Sequence, residues 1–431
     1  MTVREEVCAG RTYAAAALSD VRDRPLDGEQ GGLVHARSSG KAGVDRAGTD
    51  TNTSAHHPWH SRAAGRGAYA RRREAYAALD LGTNNCRLLV AEPTHDGFRV
   101  IDAFSRIVRL GEGLGSVNRL GDAAIERAIE ALSICRTKMD NRGVRRARLI
   151  ATEACRAAIN GRDFIERVAR ETGLALEVVD RRTEAMLAVS GCTGLADPTA
   201  ESVIVFDIGG GSTEIIWTRG PRRHKAADKA APPANVRPQD HPPQNASQHG
   251  GRRQTYGQGP AQKVRAWESL PVGVVTLAER HGGMHVTPAS FASMVHEVEK
   301  HLAPFAWRAR HAPRDRGFHL LGTSGTVTTI AGVHLGLPRY DRRQVDGLWM
   351  NDKDVSGIVD MLVGYSYAQR AANPCIGLER ADLVLAGCAI LEAIRRAFPS
   401  PRLRVADRGL REGILLNMMR EDDVWRRRQG A

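Results

Sequence analysis

The sequence predicts an α/β protein of two domains, each with a mixed sheet. Three observations carry that reading. Short apolar runs with strand character alternate with stretches of helical periodicity. A strand–turn–strand plan occurs twice, about one domain apart. The patterned stretches, 76–218 and 266–431, hold roughly 310 of the 431 residues, the size of two ordinary domains.

The first copy of the plan is Ala77-Ala78-Leu79-Asp80-Leu81-Gly82-Thr83-Asn84, and Arg87-Leu88-Leu89-Val90-Ala91 follows it. The second is Ile204-Val205-Phe206-Asp207-Ile208-Gly209-Gly210-Gly211-Ser212-Thr213, followed by Glu214-Ile215-Ile216-Trp217. Each is an apolar strand, an aspartate, a glycine-bearing turn and a second apolar strand, which reads as a β-hairpin. Strands are expected over 100–109, 148–152 and 176–179. Helices are expected over 122–141, where Ala124, Ile125, Ala128, Ile129 and Leu132 keep helical spacing, over 163–172, closed by Gly173, and over 182–190. Later come strands near 264–270 and 318–321, a helix after Gly325, and helices over 288–309, 352–364, 379–397 and 409–420. The apolar helix around 383–391 reads as core.

Two stretches break the pattern. Residues 1–75 are rich in Gly, Ser, Arg and Asp and poor in residues to bury, apart from a short helix near 13–18. Residues 220–265 hold 7 of the 19 prolines and read as an unstructured surface insertion. The net charge of +13 concentrates there: 219–265 carries ten Lys/Arg against two Asp/Glu, and 1–75 carries twelve against nine. The folded body is near neutral, which weighs against a nucleic-acid partner. Seven cysteines without a C-x-x-C pair exclude a zinc ribbon and a disulfide framework and suggest a reducing compartment. No run reaches the length of a membrane span, and the N-terminus lacks the apolar core of a secretory signal, so the expected location is the cytoplasm. His56, His57, His60, His281 and His285 read as solvated or core side chains rather than metal ligands.

The chemistry lies in three loops. In the run from Asp207 to Thr213, Gly209, Gly210 and Gly211 let the backbone approach a ligand closely and turn successive N–H groups into an anion nest. Ser212 and Thr213 add hydroxyl donors, and Asp207 can hold a hydrated Mg²⁺ against phosphate oxygens. A tight hairpin with a glycine bulge is the plainer reading, but three glycines exceed what a turn needs. No G-K-[ST] is present, so this is not a Walker loop. Gly82, Thr83 and Asn84 repeat the design beside Asp80, and Arg87 can reach a phosphate or stand as a solvated strand residue. Gly322-Thr323-Ser324-Gly325-Thr326 follows a strand and opens a helix, which aims backbone N–H groups at an anion or simply caps the helix.

Together these residues resemble the actin/Hsp70/sugar-kinase superfamily, and in detail its exopolyphosphatase/guanosine pentaphosphatase (Ppx/GppA) branch. The resemblance rests on Asp80 to Asn85, Ala151-Thr152-Glu153-Ala154-Cys155-Arg156, Arg182-Thr183-Glu184-Ala185-Met186-Leu187, Asp207 to Glu214, Leu270-Pro271-Val272-Gly273 and Arg408-Gly409-Leu410-Arg411-Glu412-Gly413. It covers about 76–218 and 266–420. It implies two actin-like (ribonuclease H-like) domains with a cleft between them. The boundaries expected are 76–190 and 191–408, with 409–428 packing back on the first domain.

The resemblance also implies a Mg²⁺-dependent hydrolase that removes the terminal phosphate of polyphosphate or guanosine pentaphosphate. Glu184 matches the family's catalytic glutamate, and Asp207 and Glu214, with Asp80, its acidic metal centre. Arg87 and Arg156 match phosphate contacts; Gly82, Thr83, Asn84, Gly209 to Thr213, Gly322, Ser324, Gly325 and Thr326 form the phosphate loops. This chain departs from the family at Thr183, where an acid is usual, at Met186, where a base is usual, and at Asp180-Arg181 in place of a Ser-Gly turn. A homodimer is compatible with the reading, and no membrane partner is expected. The rival readings are an ATP-dependent kinase or ATPase of the same superfamily, and a non-catalytic binder of polyphosphate or alarmone.

Overall fold

The repeated plan becomes two antiparallel hairpins, each built into its own six-stranded sheet. They are seen in a computed structural model that describes residues 74–219, 256–257, 263–312 and 317–425. All of these lie in one compact unit, Tyr69–Ala431. The expectations for 13–18, for His56, His57 and His60, for almost all of 1–75 and for most of 220–265 fall outside the described residues.

In the first sheet β1 (Ala75–Leu81) turns at Gly82 into β2 (Asn85–Pro93), and β3 (Gly97–Ile107) extends the meander. The chain then forms α1 (Leu114–Val117) and α2 (Asp122–Asn141) and returns as β4 (Val144–Ala151), parallel to β1. After α3 (Glu153–Ala157) and α4 (Gly161–Thr172), β5 (Glu177–Val178) adds to the parallel side. Helix α4 stops where expected, because Gly173 takes the left-handed conformation (φ 68°) that caps a helix cheaply. Helix α5 (Arg181–Cys192) leads to the second sheet through a 3₁₀ turn at Thr193–Leu195.

The second sheet repeats the layout. Strands β6 (Ser202–Ile208) and β7 (Thr213–Arg219) form its hairpin. Two elements fall inside the stretch expected to be an unstructured insertion: β8 (Tyr256–Gly257), which pairs with the edge of β3, and the start of β9 (Lys263–Leu270), the third strand of the second meander. Next come α6 (Val274–His281), α7 (Pro288–Arg308), β10 (Phe318–Thr323) and α8 (Gly325–His334). The chain closes with α9 (Arg342–Val345), β11 (Trp349–Asn351), α10 (Asp352–Gly364), α11 (Tyr367–Ala372), α12 (Val384–Ala397), β12 (Arg402–Ala406) and α13 (Leu410–Glu421). The strand orders are β5-β4-β1-β2-β3-β8 and β11-β12-β10-β6-β7-β9. In both sheets an antiparallel meander lies on one side of the first hairpin strand and two parallel strands lie on the other, with β11 added antiparallel at the outer edge of the second sheet.

Two helices tie the sheets together. On one face of the first sheet Ile125, Leu132 and Cys135 of α2 join Phe164 and Val168 of α4 against Leu79, Leu81 and Leu88. On its other face Leu187 of α5 and Ile414, Leu415 and Met418 of α13 bury Tyr76, Ala78, Leu89 and Ile150. The opposite side of α5, Ala185, Val189 and Cys192, packs on Val203, Val205 and Ile216 of the second sheet. Helices α7, α8, α10 and α12 cover that sheet's far face. The α5–α13 crossing depends on glycine: a Cβ on Gly413 would lie 1.9 Å from the Leu187 carbonyl oxygen, and one on Gly191 1.8 Å from that of Gly409. Only bare backbones approach that closely.

Candidate active site

The hairpin tips meet between the sheets. A Cβ on Gly210 would sit 2.9 Å from Cβ of Thr83 and 3.2 Å from the Asn84 nitrogen, and one on Gly211 3.1 Å from Cγ of Glu153. The loops are held open by their own backbones: Gly82 N–H donates to Asn85 O (2.9 Å) and Gly209 N–H to Ser212 O (2.9 Å). The third loop enters from β10, where Ser324 takes φ 109°, a strained conformation for a residue with a side chain. A cavity of about 660 Å³ lies among the three loops.

Most expected residues line this cavity. Asp80, Gly82, Thr83, Asn84, Arg87, Glu184, Asp207, Gly209, Gly210, Gly211, Ser212, Glu214, Ser324, Gly325 and Thr326 all face it. The register explains the placing of the acids. Asp80 pairs across its hairpin with Arg87, and Asp207 occupies the equivalent place opposite Glu214. Two buried polar atoms on the walls, Asn84 Oδ1 and Ser324 Oγ, have no hydrogen-bond partner among the described residues. Such orphans mark a place built for a polar ligand.

Three expected residues lie off the cavity wall. The Thr213 hydroxyl donates to Val272 O (2.7 Å) and anchors the hairpin to the following loop. Gly322 gives room for the Phe206 ring, whose Cζ would be 2.6 Å from a Cβ there. Arg156 sits behind the wall: it is 2.8 Å from Glu184, 2.7 Å from Glu153, and donates to Val179 O (2.6 Å). Its guanidinium holds the two glutamates rather than facing the cavity.

The carboxylates differ in character. Burial raises Glu184 well above its ordinary range; Glu214 adds to this by repulsion and Arg156 opposes it. Burial, then Glu214 and Asp80, push Asp207 up to about 7. Burial also raises Asp80, against Arg87 and Arg411, and raises Glu214 although Ser269 and Ser212 donate to it at 2.8 and 2.9 Å. Burial acts to raise Glu153 too, but hydrogen bonds from Arg181 and Arg156 hold it below the ordinary range.

Among the described residues no three His, Cys, Asp or Glu side chains converge as a ready metal cage. Two aspartates beside phosphate loops nevertheless fit Mg²⁺, which commonly takes one or two carboxylates and completes its shell with water and phosphate oxygens. Glu214 has its Oε1 occupied by two serine hydroxyls.

Several lining residues carry no role in the sequence reading. Glu153 and Arg411 stand inside motifs singled out there, but their partners appear only in the fold. Glu153 is bridged by Arg156 and by Arg181 (2.7 Å), one of the residues that departs from the usual turn. At the far end Tyr340 donates to Asp407 (2.7 Å), Arg342 to Glu412 (2.7 Å), and Glu412 accepts from Gly409 N–H (2.9 Å). That network fixes the start of α13 beneath the cavity. The other departures are packing features. Thr183 N–H donates to the capping Asp180 (2.7 Å), and Met186 packs with Trp267 against the second sheet.

Two sheets of shared layout around a glycine-loop cavity define a two-domain, actin-like α/β protein. A family model described as the Ppx/GppA phosphatase family matches residues 89–230 and 250–422, and the chain belongs to that family. It is 26% identical over 362 residues to Exopolyphosphatase 2 of Mycobacterium tuberculosis (strain CDC 1551 / Oshkosh), over 79% of this chain and 98% of the relative. It is similar to the crystal structure of the Aquifex aeolicus Ppx/GppA family member, with 27% identity, TM-score 0.61, and 81% and 98% of the two chains covered. An exopolyphosphatase structure from Cytophaga hutchinsonii ATCC 33406, 21% identical with TM-score 0.66 over 81% of this chain and 98% of that one, shares the fold. No helix among the described residues is long and apolar enough to cross a membrane.

Proposed function

We propose that the protein hydrolyses the terminal phosphoanhydride bond of inorganic polyphosphate, with Mg²⁺, and that guanosine pentaphosphate is the competing substrate to be tested beside it. The observation that supports this most is the buried Glu184 carboxylate on the wall of a cavity formed by three anion-binding loops. Exopolyphosphatase is also the name borne by the Mycobacterium tuberculosis relative.

The backbone N–H groups of 210–212 and 83–84, which the loops leave open, take the terminal phosphate oxygens, and Arg87 offsets their charge. Glu184 accepts a proton from the attacking water. The water oxygen bonds to the terminal phosphorus while the bridging P–O bond breaks on the opposite side, in line. The shortened chain leaves with the bridging oxygen. Asp207 and Asp80 would hold Mg²⁺, which when bound neutralises charge on the phosphate oxygens.

The test is orthophosphate release with Mg²⁺ from polyphosphate, guanosine pentaphosphate and ATP, side by side. Release from polyphosphate that is lost in Glu184→Gln supports the reading. Turnover of ATP alone would favour the ATPase alternative, and binding without turnover a regulator.

A further inference from the structure

Behind the Glu184 wall lies a second hollow of about 500 Å³, lined by Glu153, Arg156, Asp180, Arg181, Arg182 and Trp267. Glu153 borders both spaces, so its carboxylate and the two arginines that clasp it form the partition between them. The hollow is cationic where it counts. Its lining carries three arginines against two carboxylates; Asp180 caps α5 through the Thr183 N–H, and Glu153 is shared by two guanidiniums. Arg182 makes no ion pair with any described residue. The Arg181 side chain is 49% exposed; its Nε and Nη2 hold Glu153, while its Nη1 donates to no described residue and can meet an anion without breaking that pair.

We infer that this hollow, with Arg182 and Arg181 as its anion contacts, is the exit subsite for the orthophosphate product. The inference rests on the hydrolysis proposed above and follows from its geometry. Attack and departure lie in line on opposite faces of the phosphorus. Glu184 stands between the cavity and Arg156, and Arg156 lines the hollow, so water attacks from the hollow's side. The remaining polyphosphate chain therefore occupies the other side, toward the open arm at Phe104 and Leu378. The freed phosphate, its new oxygen facing Glu184, escapes past Glu153 into the hollow without waiting for the chain to dissociate. Arg181 meets the phosphate with its open Nη1 as it passes, and Arg182 draws it outward.

A separate exit makes a kinetic prediction that a shared one does not. Orthophosphate added to the hollow traps enzyme that still holds its chain, so inhibition persists at saturating polyphosphate. If product and chain share one opening, saturating polyphosphate relieves the inhibition. The experiment measures inhibition by added inorganic phosphate across a polyphosphate titration, in wild type, Arg182→Glu, Arg182→Lys and, as a charge-reversal control on an exposed helix, Arg162→Glu. Expected are inhibition not relieved by substrate, an inhibition constant raised about tenfold by Arg182→Glu, and retention by Arg182→Lys and Arg162→Glu. Competitive inhibition in the wild type, or an inhibition constant that Arg182→Glu leaves unchanged, overturns the exit role while leaving the hydrolase reading intact. A wild-type enzyme with no turnover of polyphosphate removes both.

Discussion

The Arg156 guanidinium lies 2.8 Å from the Glu184 carboxylate, a contact between α3 and α5 that neither element makes locally. Arg156 also engages Glu153 and the Val179 carbonyl, so it is fixed from three directions. The consequence is a glutamate held in one place and still accessible from the cavity. Glu184→Gln keeps the shape and removes the base. Turnover of polyphosphate is expected to fall about 10²- to 10⁴-fold, a loss of roughly 3–5 kcal/mol in barrier terms, while polyphosphate still binds. Near-normal phosphate release by this variant removes Glu184 from the role of base.

The same contact sets a pH dependence. A base works only when deprotonated, and burial followed by repulsion from Glu214 holds Glu184 well above its ordinary range. The acid limb of kcat/KM is therefore expected above the usual carboxylate range. Glu214→Gln removes a repelling charge and should move the limb to lower pH. Arg156→Gln removes an attracting charge and should move it to higher pH. Shifts in one direction for both variants would mean that another group governs the limb.

Asp207 gives a prediction in which activity and stability separate. Its carboxyl is pushed up to about 7 by burial, then by Glu214 and Asp80. The folded state therefore binds this proton more tightly than the unfolded chain does. Its stabilising effect is complete below the ordinary aspartate range, is lost as pH rises to about 7, and stays lost above. The ceiling of that loss is roughly 4 kcal/mol. Without Mg²⁺, Asp207→Asn should melt close to wild type near pH 4 and progressively above it toward pH 8. With Mg²⁺, the variant should need more metal for half-maximal turnover, because a carboxylate ligand is gone. Calorimetric melts across pH and a Mg²⁺ titration of activity check the two halves; identical Mg²⁺ curves count against a metal role for Asp207.

What was readable along the chain follows from how local each signal is. The hairpins around Asp80 and Asp207 were legible because strand, turn and strand adjoin, and helix α2 because its apolar spacing repeats over twenty residues. Strand β12 was not, although it lies within the second sheet between β10 and β11. It reads Arg402-Leu403-Arg404-Val405-Ala406, and its two arginines stack on the Trp349 ring at 4.3 and 4.7 Å, a partnership made by a strand fifty residues earlier. Contiguous motifs mislead in the opposite sense. Thr213 belongs to the glycine-loop run, but its hydroxyl turns to Val272, and Gly322 serves the Phe206 ring. Glu153 gains its meaning from Arg181, twenty-eight residues on, at the start of another helix.

The last prediction concerns the basic stretch between the second and third strands of the second sheet. Arg219 and Lys263 are register partners at the open end of the β7–β9 pair, so a short linker can join them without moving either strand. Replacing 222–262 with a Gly-Ser linker also removes β8, a two-residue edge strand whose partners are Gly97 and Phe98. Closure entropy changes by only about 1 kcal/mol at such lengths. The variant, with 1–73 also deleted, is expected to melt cooperatively and to retain turnover; loss of the cooperative transition counts against this. Substrate capture is a separate question. Residues 222–262 carry seven Lys/Arg against two Asp/Glu, a net charge of +5, enough to attract a long polyanion. If they act in capture, their removal raises KM for long-chain polyphosphate at low salt and leaves kcat unchanged. The difference should vanish at high ionic strength, where such attraction is screened within a few ångströms. It should also be absent for a short nucleotide, which presents too few charges to be drawn in. Equal KM values for long chains at low salt, with and without the stretch, would show that it takes no part in binding.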